Sequence, residues 1–124
     1  MTLPGQNTLE EMVNLPELLA RVDYDRELLQ EIAELFREEF PRLRELLRSA
    51  VLNEELPGVE MLAHTLKGML LNVSVERGAA AASELELRAK AQDLAGMREA
   101  HAEFEGAVDC LLPSLDAYIA GGQL

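Results

Sequence analysis

The sequence predicts an all-α fold: an antiparallel up-and-down four-helix bundle with a short additional helix at its N-terminus. Three observations predict it. Apolar residues recur at steps of three and four along most of the chain. Nothing alternates with the period of a strand. Aromatics make up only 4% of the 124 residues, so the core must be built from Leu, Ala, Val and Met, as in helix-on-helix packing. The length suits one domain.

Residues 1–8, with Pro4 and Gly5, read as a loose arm ahead of a bundle over 9–120, and 121–124 read as a tail. Residues 9–20 form a short helix broken near Asn14-Leu15-Pro16. Asn14 is placed to cap the restarted piece, and Pro16 suits its first turn. Asp23 or Asp25 then caps a long helix running to about Leu52. Its stripe is Leu28, Ile32, Leu35, Phe36, Phe40, Leu43, Leu47 and Ala50. Pro41 lies within this helix and should bend it. After a turn over 53–58, Pro57 opens a helix continuing to about Val73. Ser74 is a candidate cap for the next helix, which spans Val75 to Asp93. Its alanines, 79 to 82 with 89 and 91, allow close approach of a neighbour. Gly96 marks the last turn. A final helix runs from Met97 to Ile119 with Met97, His101, Phe104, Val108, Leu111 and Leu115 as its stripe, and Gly121-Gly122 end it. Cys110 falls inside that helix and reads as a buried, inert thiol.

Charge and composition exclude several functions. Eleven basic against 23 acidic residues give a formal charge of −12, which repels nucleic-acid phosphates and anionic lipid heads. No apolar run approaches the roughly 20 residues that span a bilayer. No basic stretch followed by an apolar run begins the chain, so a secretion signal is not expected. With one cysteine there is no internal disulfide, which fits a reducing, cytoplasmic setting. Two histidines on different helices, without a Glu-x-x-His pairing, do not form a metal-ligand set. His101 reads as a packing or edge histidine, and Glu84 and Glu86 as surface or edge residues rather than acid–base catalysts. No Ser/His/Asp grouping or phosphate-binding glycine loop is found.

The chemistry is expected on the helix over residues 60–73. Each helical residue advances about 100° around the axis. With His64 at 0°, Met69, Leu62, Val73 and Leu66 fall at roughly 140° to 200°. This apolar stripe lies opposite His64 and predicts an imidazole in water. Lys67 and Gly68 flank the ring at roughly 300° and 40°. Helical side chains lean toward the N-terminus, so a side chain at 68 would lie over His64, and Gly68 leaves it clear. A glycine inside a helix costs about 1 kcal/mol relative to alanine, which calls for such a reason. Lys67 supplies a cation worth about 1–3 kcal/mol at about 5 Å from an anion. Met61 and Leu71 lie beside His64 and form a candidate docking patch for a partner. Neutral imidazole is a nucleophile needing no activating base, and an unperturbed histidine is mostly neutral at pH 7.

The stretch Ala63-His64-Thr65-Leu66-Lys67-Gly68, followed by Asn72-Val73, resembles the signature of histidine phosphotransfer (HPt) domains of two-component phosphorelays. Asp25 to Leu29, Phe36 to Pro41, and Leu85-Glu86 before Ala89 extend the resemblance over most of the chain. It departs at Met69-Leu70-Leu71 and Ser74-Val75, where the family carries smaller residues. The resemblance implies a phosphoprotein, with His64 as phospho-acceptor, Lys67 assisting the phosphoryl group and Gly68 giving clearance. It implies a carrier without kinase or phosphatase activity of its own. Its partners would be response-regulator receiver domains, or a hybrid histidine kinase. It implies no cofactor of this chain's own, Mg2+ being held by the receiver, and a monomer. The rival reading is a helical adaptor that binds a receiver or kinase without transferring phosphate.

Overall fold

In the computed structural model, residues 8–121 are described, and they form seven helices with no strand among them. α1 (Leu9–Met12) and α2 (Leu15–Arg21) are the two short leading pieces. Thr8, assigned from sequence to the arm, instead caps α1 by accepting from the Glu11 N–H. The rest of the arm and residues 122–124 lie outside the described residues. Asn14 caps α2 through the Glu17 N–H, with Pro16 in the first turn as expected.

α3 (Arg26–Leu52) is capped by Asp25, whose Oδ1 accepts from the N–H groups of Glu27 and Leu28. It runs through Pro41 as one helix. Its buried face is rotated from the expected stripe. Leu29 and Ala33 are buried, whereas Leu28 and Leu35 are exposed. The reason is that Leu29 and Ala33 continue the row of Phe36 and Phe40, whose rings stack 4.5 Å apart and turn inward, and this row sets the rotation.

α4 (Leu56–Asn72), α5 (Glu76–Lys90) and α6 (Leu94–Val108) follow, each packed on its predecessor, with α3 also touching α6. α4 and α5 approach closely because α5 presents Gly78, Ala79 and Ala82 to the core. A Cβ on Gly78 would come within 3.2 Å of Leu70 Cδ1 and 3.0 Å of Val108 Cγ1. Leu70, part of the bulky Met69-Leu70-Leu71 departure, is accommodated by that notch and is fully buried. Burial of such a leucine contributes roughly 1.5–3 kcal/mol.

Three sequence expectations fail here. Ser74 is not a helix cap. It adopts a left-handed conformation (φ 58°), Val75 takes the cap position, and the Ser74 carbonyl instead accepts from the Asn14 N–H at 2.8 Å. Gly96 ends nothing: it lies in the first turn of α6, where its N–H donates to the capping Asp93. The final helix is two helices. α6 stops at Val108, Cys110 turns left-handed (φ 65°), and α7 (Leu111–Ala120) restarts. Pro113 explains the break. A continuous helix would need the residue 113 N–H for the Asp109 carbonyl, and proline has none; in a first turn that loss is harmless. Cys110 is therefore half-buried at a helix junction, not enclosed within a helix. The apolar stripe residues on both sides of the break, Met97, Phe104, Val108, Leu111 and Leu115, still reach the core, whereas His101 lies at its edge.

Ion pairs tie the later helices to α3. Arg44 and Arg48 hold Glu105 of α6, and Arg37 holds Asp116 of α7. Arg26 donates to the Ile119 carbonyl at 2.9 Å. No helix among the described residues is long and apolar enough to cross a membrane.

Candidate functional site

The site lies on the outer face of α4. Val59, Ala63, Leu66 and Leu70 are the fully buried residues of this helix. Leu62 and Met69, expected at the centre of the stripe, are only partly buried. The inward face is thus rotated by roughly 60° toward α5, at 100° per residue. The close approach to the small residues of α5 accounts for the roll. His64 remains outside, its side chain 67% exposed. Met61 and Leu71 are exposed beside it. A Cβ at Gly68 would meet nothing within 4 Å, so the space over the ring is open.

The roll toward α5 brings in a residue the sequence reading set aside. Glu86 of α5 approaches the ring, with Oε2 3.1 Å and Oε1 3.3 Å from His64 Nδ1. Its side chain is only 18% exposed, whereas Glu84, two residues earlier, is on the open surface. A carboxylate can only accept a hydrogen bond. Nδ1 therefore carries the ring hydrogen, and the lone pair lies on Nε2. Glu86 thus sets both the orientation of the ring and its tautomer. Lys67 Nζ lies 3.8 Å from Glu86 Oε1, so the lysine is held beside the imidazole by the same carboxylate.

A second cross-helix pair flanks the first. Lys90 Nζ of α5 lies 3.8 Å from Glu60 Oε1 of α4. Glu60 pairs with Lys90 and His64 with Glu86, so α4 and α5 run in opposite directions, one helical turn separating the two contacts. Lys67 and Lys90 are the only lysines of the chain. Every other cation is arginine, whose planar fork grips oxyanions in pairs, whereas lysine offers a mobile point charge. The site therefore carries cations able to attend an anion without clamping it.

On the far flank of α4, beyond Thr65, lies a groove of about 550 Å³ between α3 and α4, lined by Ile32, Leu35, Phe36, Leu43 and Met69. His101 is not part of the site. It sits on α6 with its side chain 14% exposed and Nε2 3.3 Å from Glu105, in the ion cluster against α3. Among the described residues no group of three or more His, Cys, Asp or Glu is placed to hold a metal ion.

Glu86 was legible only in principle. Which residues of α4 and α5 stand opposite one another depends on how the two helices pack across the turn over 73–75, and that packing sets 86 beside 64 and 90 beside 60.

This arrangement offers a nucleophilic nitrogen, a cation and open access, with no acid or base aimed at a second reactant. No curated protein and no solved structure matches the chain. A family model, that of the Hpt domain, matches residues 31–116 and so includes His64, Lys67, Gly68 and Glu86. The chain therefore belongs to the Hpt domain family, the histidine phosphotransfer domains of two-component systems, which are in general phosphocarriers rather than enzymes.

Proposed function

We propose that this chain relays a phosphoryl group between His64 Nε2 and the aspartates of response-regulator receiver domains, in the cytoplasm and as a monomer. The observation that carries this reading is the exposed His64 ring with Nδ1 tied to Glu86, which leaves the Nε2 lone pair for phosphorus. Attack on the aspartyl phosphate of a receiver forms the N–P bond as the O–P bond breaks. Lys67 moves from Glu86 toward the phosphoryl oxygens, and Gly68 keeps the approach open. Met61 and Leu71 contact the receiver around the ring. The receiver, or a receiver carried on a hybrid histidine kinase, supplies the Mg2+ and the acidic pocket, and this chain binds no cofactor. The four long elements α3 to α6 form the antiparallel up-and-down bundle that holds α4 rigid, with α1, α2 and α7 packed around it.

The test is incubation with a phosphorylated receiver domain and detection of acid-labile, base-stable label on this chain. Label is expected on the parent and not on His64→Gln. A parent chain that binds the receiver and never takes label is the adaptor of the rival reading. Equal labelling of His64→Gln would assign the chemistry to another residue.

A further inference from the structure

Resting on the carrier reading above, we propose that Glu86 keeps the proton on His64 Nδ1 throughout the transfer cycle, so that the phosphoryl group departs from a positively charged ring. The bookkeeping of the ring requires a decision about that proton. A neutral imidazole has one N–H, here on Nδ1. When the Nε2 lone pair forms the N–P bond, the O–P electron pair leaves with the donor's aspartate, and the ring becomes a cation still bearing Nδ1–H. In water such a ring can lose that proton and become a neutral phosphoimidazole, a poorer leaving group.

Glu86 opposes the loss in two ways. Its carboxylate, 3.1 Å from Nδ1 and mostly withdrawn from solvent, stabilises a positive ring beside it. Losing the proton would also set a nitrogen lone pair against a carboxylate oxygen. The other charges facing the ring are consistent with this. From α4 come Lys67 and Glu60, and from α5 come Glu86 and Lys90. Lys90 and Glu60 pair with each other. Lys67 shares Glu86 in the resting site, and its attraction to the phosphoryl oxygens releases Glu86 to the ring. In the return step the N–P bond breaks, its electron pair reverts to Nε2, and the new bond forms to the acceptor carboxylate. No proton crosses to solvent in either direction. Glu86 acts as a positioning residue for a proton.

The experiment phosphorylates the full-length, 15N-labelled chain with phosphoramidate, a small-molecule donor. It then follows the His64 ring nitrogens by NMR and loss of the phosphoryl group by phosphorus NMR, from pH 6 to pH 9.5. In the parent, Nδ1 is expected to keep its hydrogen to a pH about one unit or more above the midpoint found for Glu86→Gln. Near pH 8.5 release should be about tenfold faster in the parent, in line with that shift. Circular dichroism checks that the variant keeps its helices. Lys67→Ala, which removes a positive charge beside the ring, should move the Nδ1 midpoint upward. Label on His64 with coincident midpoints in parent and Glu86→Gln would overturn the proton-holding role alone. No label on His64 would overturn the carrier reading and this proposal with it.

Discussion

Glu105→Gln should destabilise the bundle by about 1–2 kcal/mol at neutral pH, and the loss should shrink in acid. Glu105 of α6 receives Arg44 Nε at 2.7 Å and Arg48 Nη2 at 3.2 Å, both from α3, with His101 Nε2 at 3.3 Å from its own helix. Burial alone would raise this carboxyl. His101, Arg44 and Arg48 outweigh burial and bring it down to about 2, from an ordinary 4.5. By linkage, a fall from 4.5 to about 2 sets a ceiling of about 3 kcal/mol. Arg44 and Glu105 are about a quarter and a fifth exposed and Arg48 is half exposed, so solvent screening brings the figure to about 1–2 kcal/mol. Because the folded-state value is depressed, this contribution is complete above about 4.5 and is lost as pH falls from there toward about 2. Glutamine keeps the size and one acceptor oxygen, and replaces the charge and the second acceptor with an amide NH2. The assay is urea unfolding of parent and variant at pH 7, 4 and 2.5. The two free energies should differ fully at pH 7, and the gap should shrink to about a quarter of that at pH 2.5. A gap that is independent of pH, or smaller than about 0.5 kcal/mol at pH 7, would refute the reasoning.

Gly68→Ala should stabilise the fold by about 1 kcal/mol, since the new methyl meets nothing within 4 Å and alanine suits a helix better. Gly68→Leu should fold equally well yet slow phosphotransfer at least about tenfold by displacing the incoming group; an unchanged transfer rate would reject the clearance role. Lys67→Ala should slow transfer about tenfold, the value of one cation near the phosphoryl group, with a melting temperature close to the parent's; a parental rate would leave Lys67 an ordinary surface charge. Gln92→Gly should raise stability by about 0.5–1 kcal/mol, because residue 92 holds φ 59° in the exposed turn between α5 and α6, where glycine relieves strain. A lower midpoint in thermal unfolding for that variant would show that the turn is not strained.

Much of this architecture was legible from the sequence, and the exceptions share a cause. Asn14 and Asp25 cap their helices because their side-chain oxygens answer a strictly local need. The exposure of His64 followed from the leucines on the other side of its own helix. What local patterns could not show was the partner helix. The roll of α4 depends on Gly78 and the alanines of α5, and Glu86 lies 22 residues from His64 and reaches it only through the register of two helices. The turns were hidden for another reason. Asp23, Tyr24, Glu54, Ser74, Gln92 and Cys110 all adopt left-handed backbone without being glycine, so the usual punctuation is missing. The break before α7 did have a mark in Pro113, whose effect falls four residues earlier, at Asp109.

The connections on either side of α4 and α5 occupy only residues 53–55, 73–75 and 91–93, each pinned by backbone hydrogen bonds to the helix it leaves. Such short ties leave the imidazole little positional freedom to surrender when another molecule arrives. The ordering cost of an encounter therefore falls on the visitor and on the lysine arms.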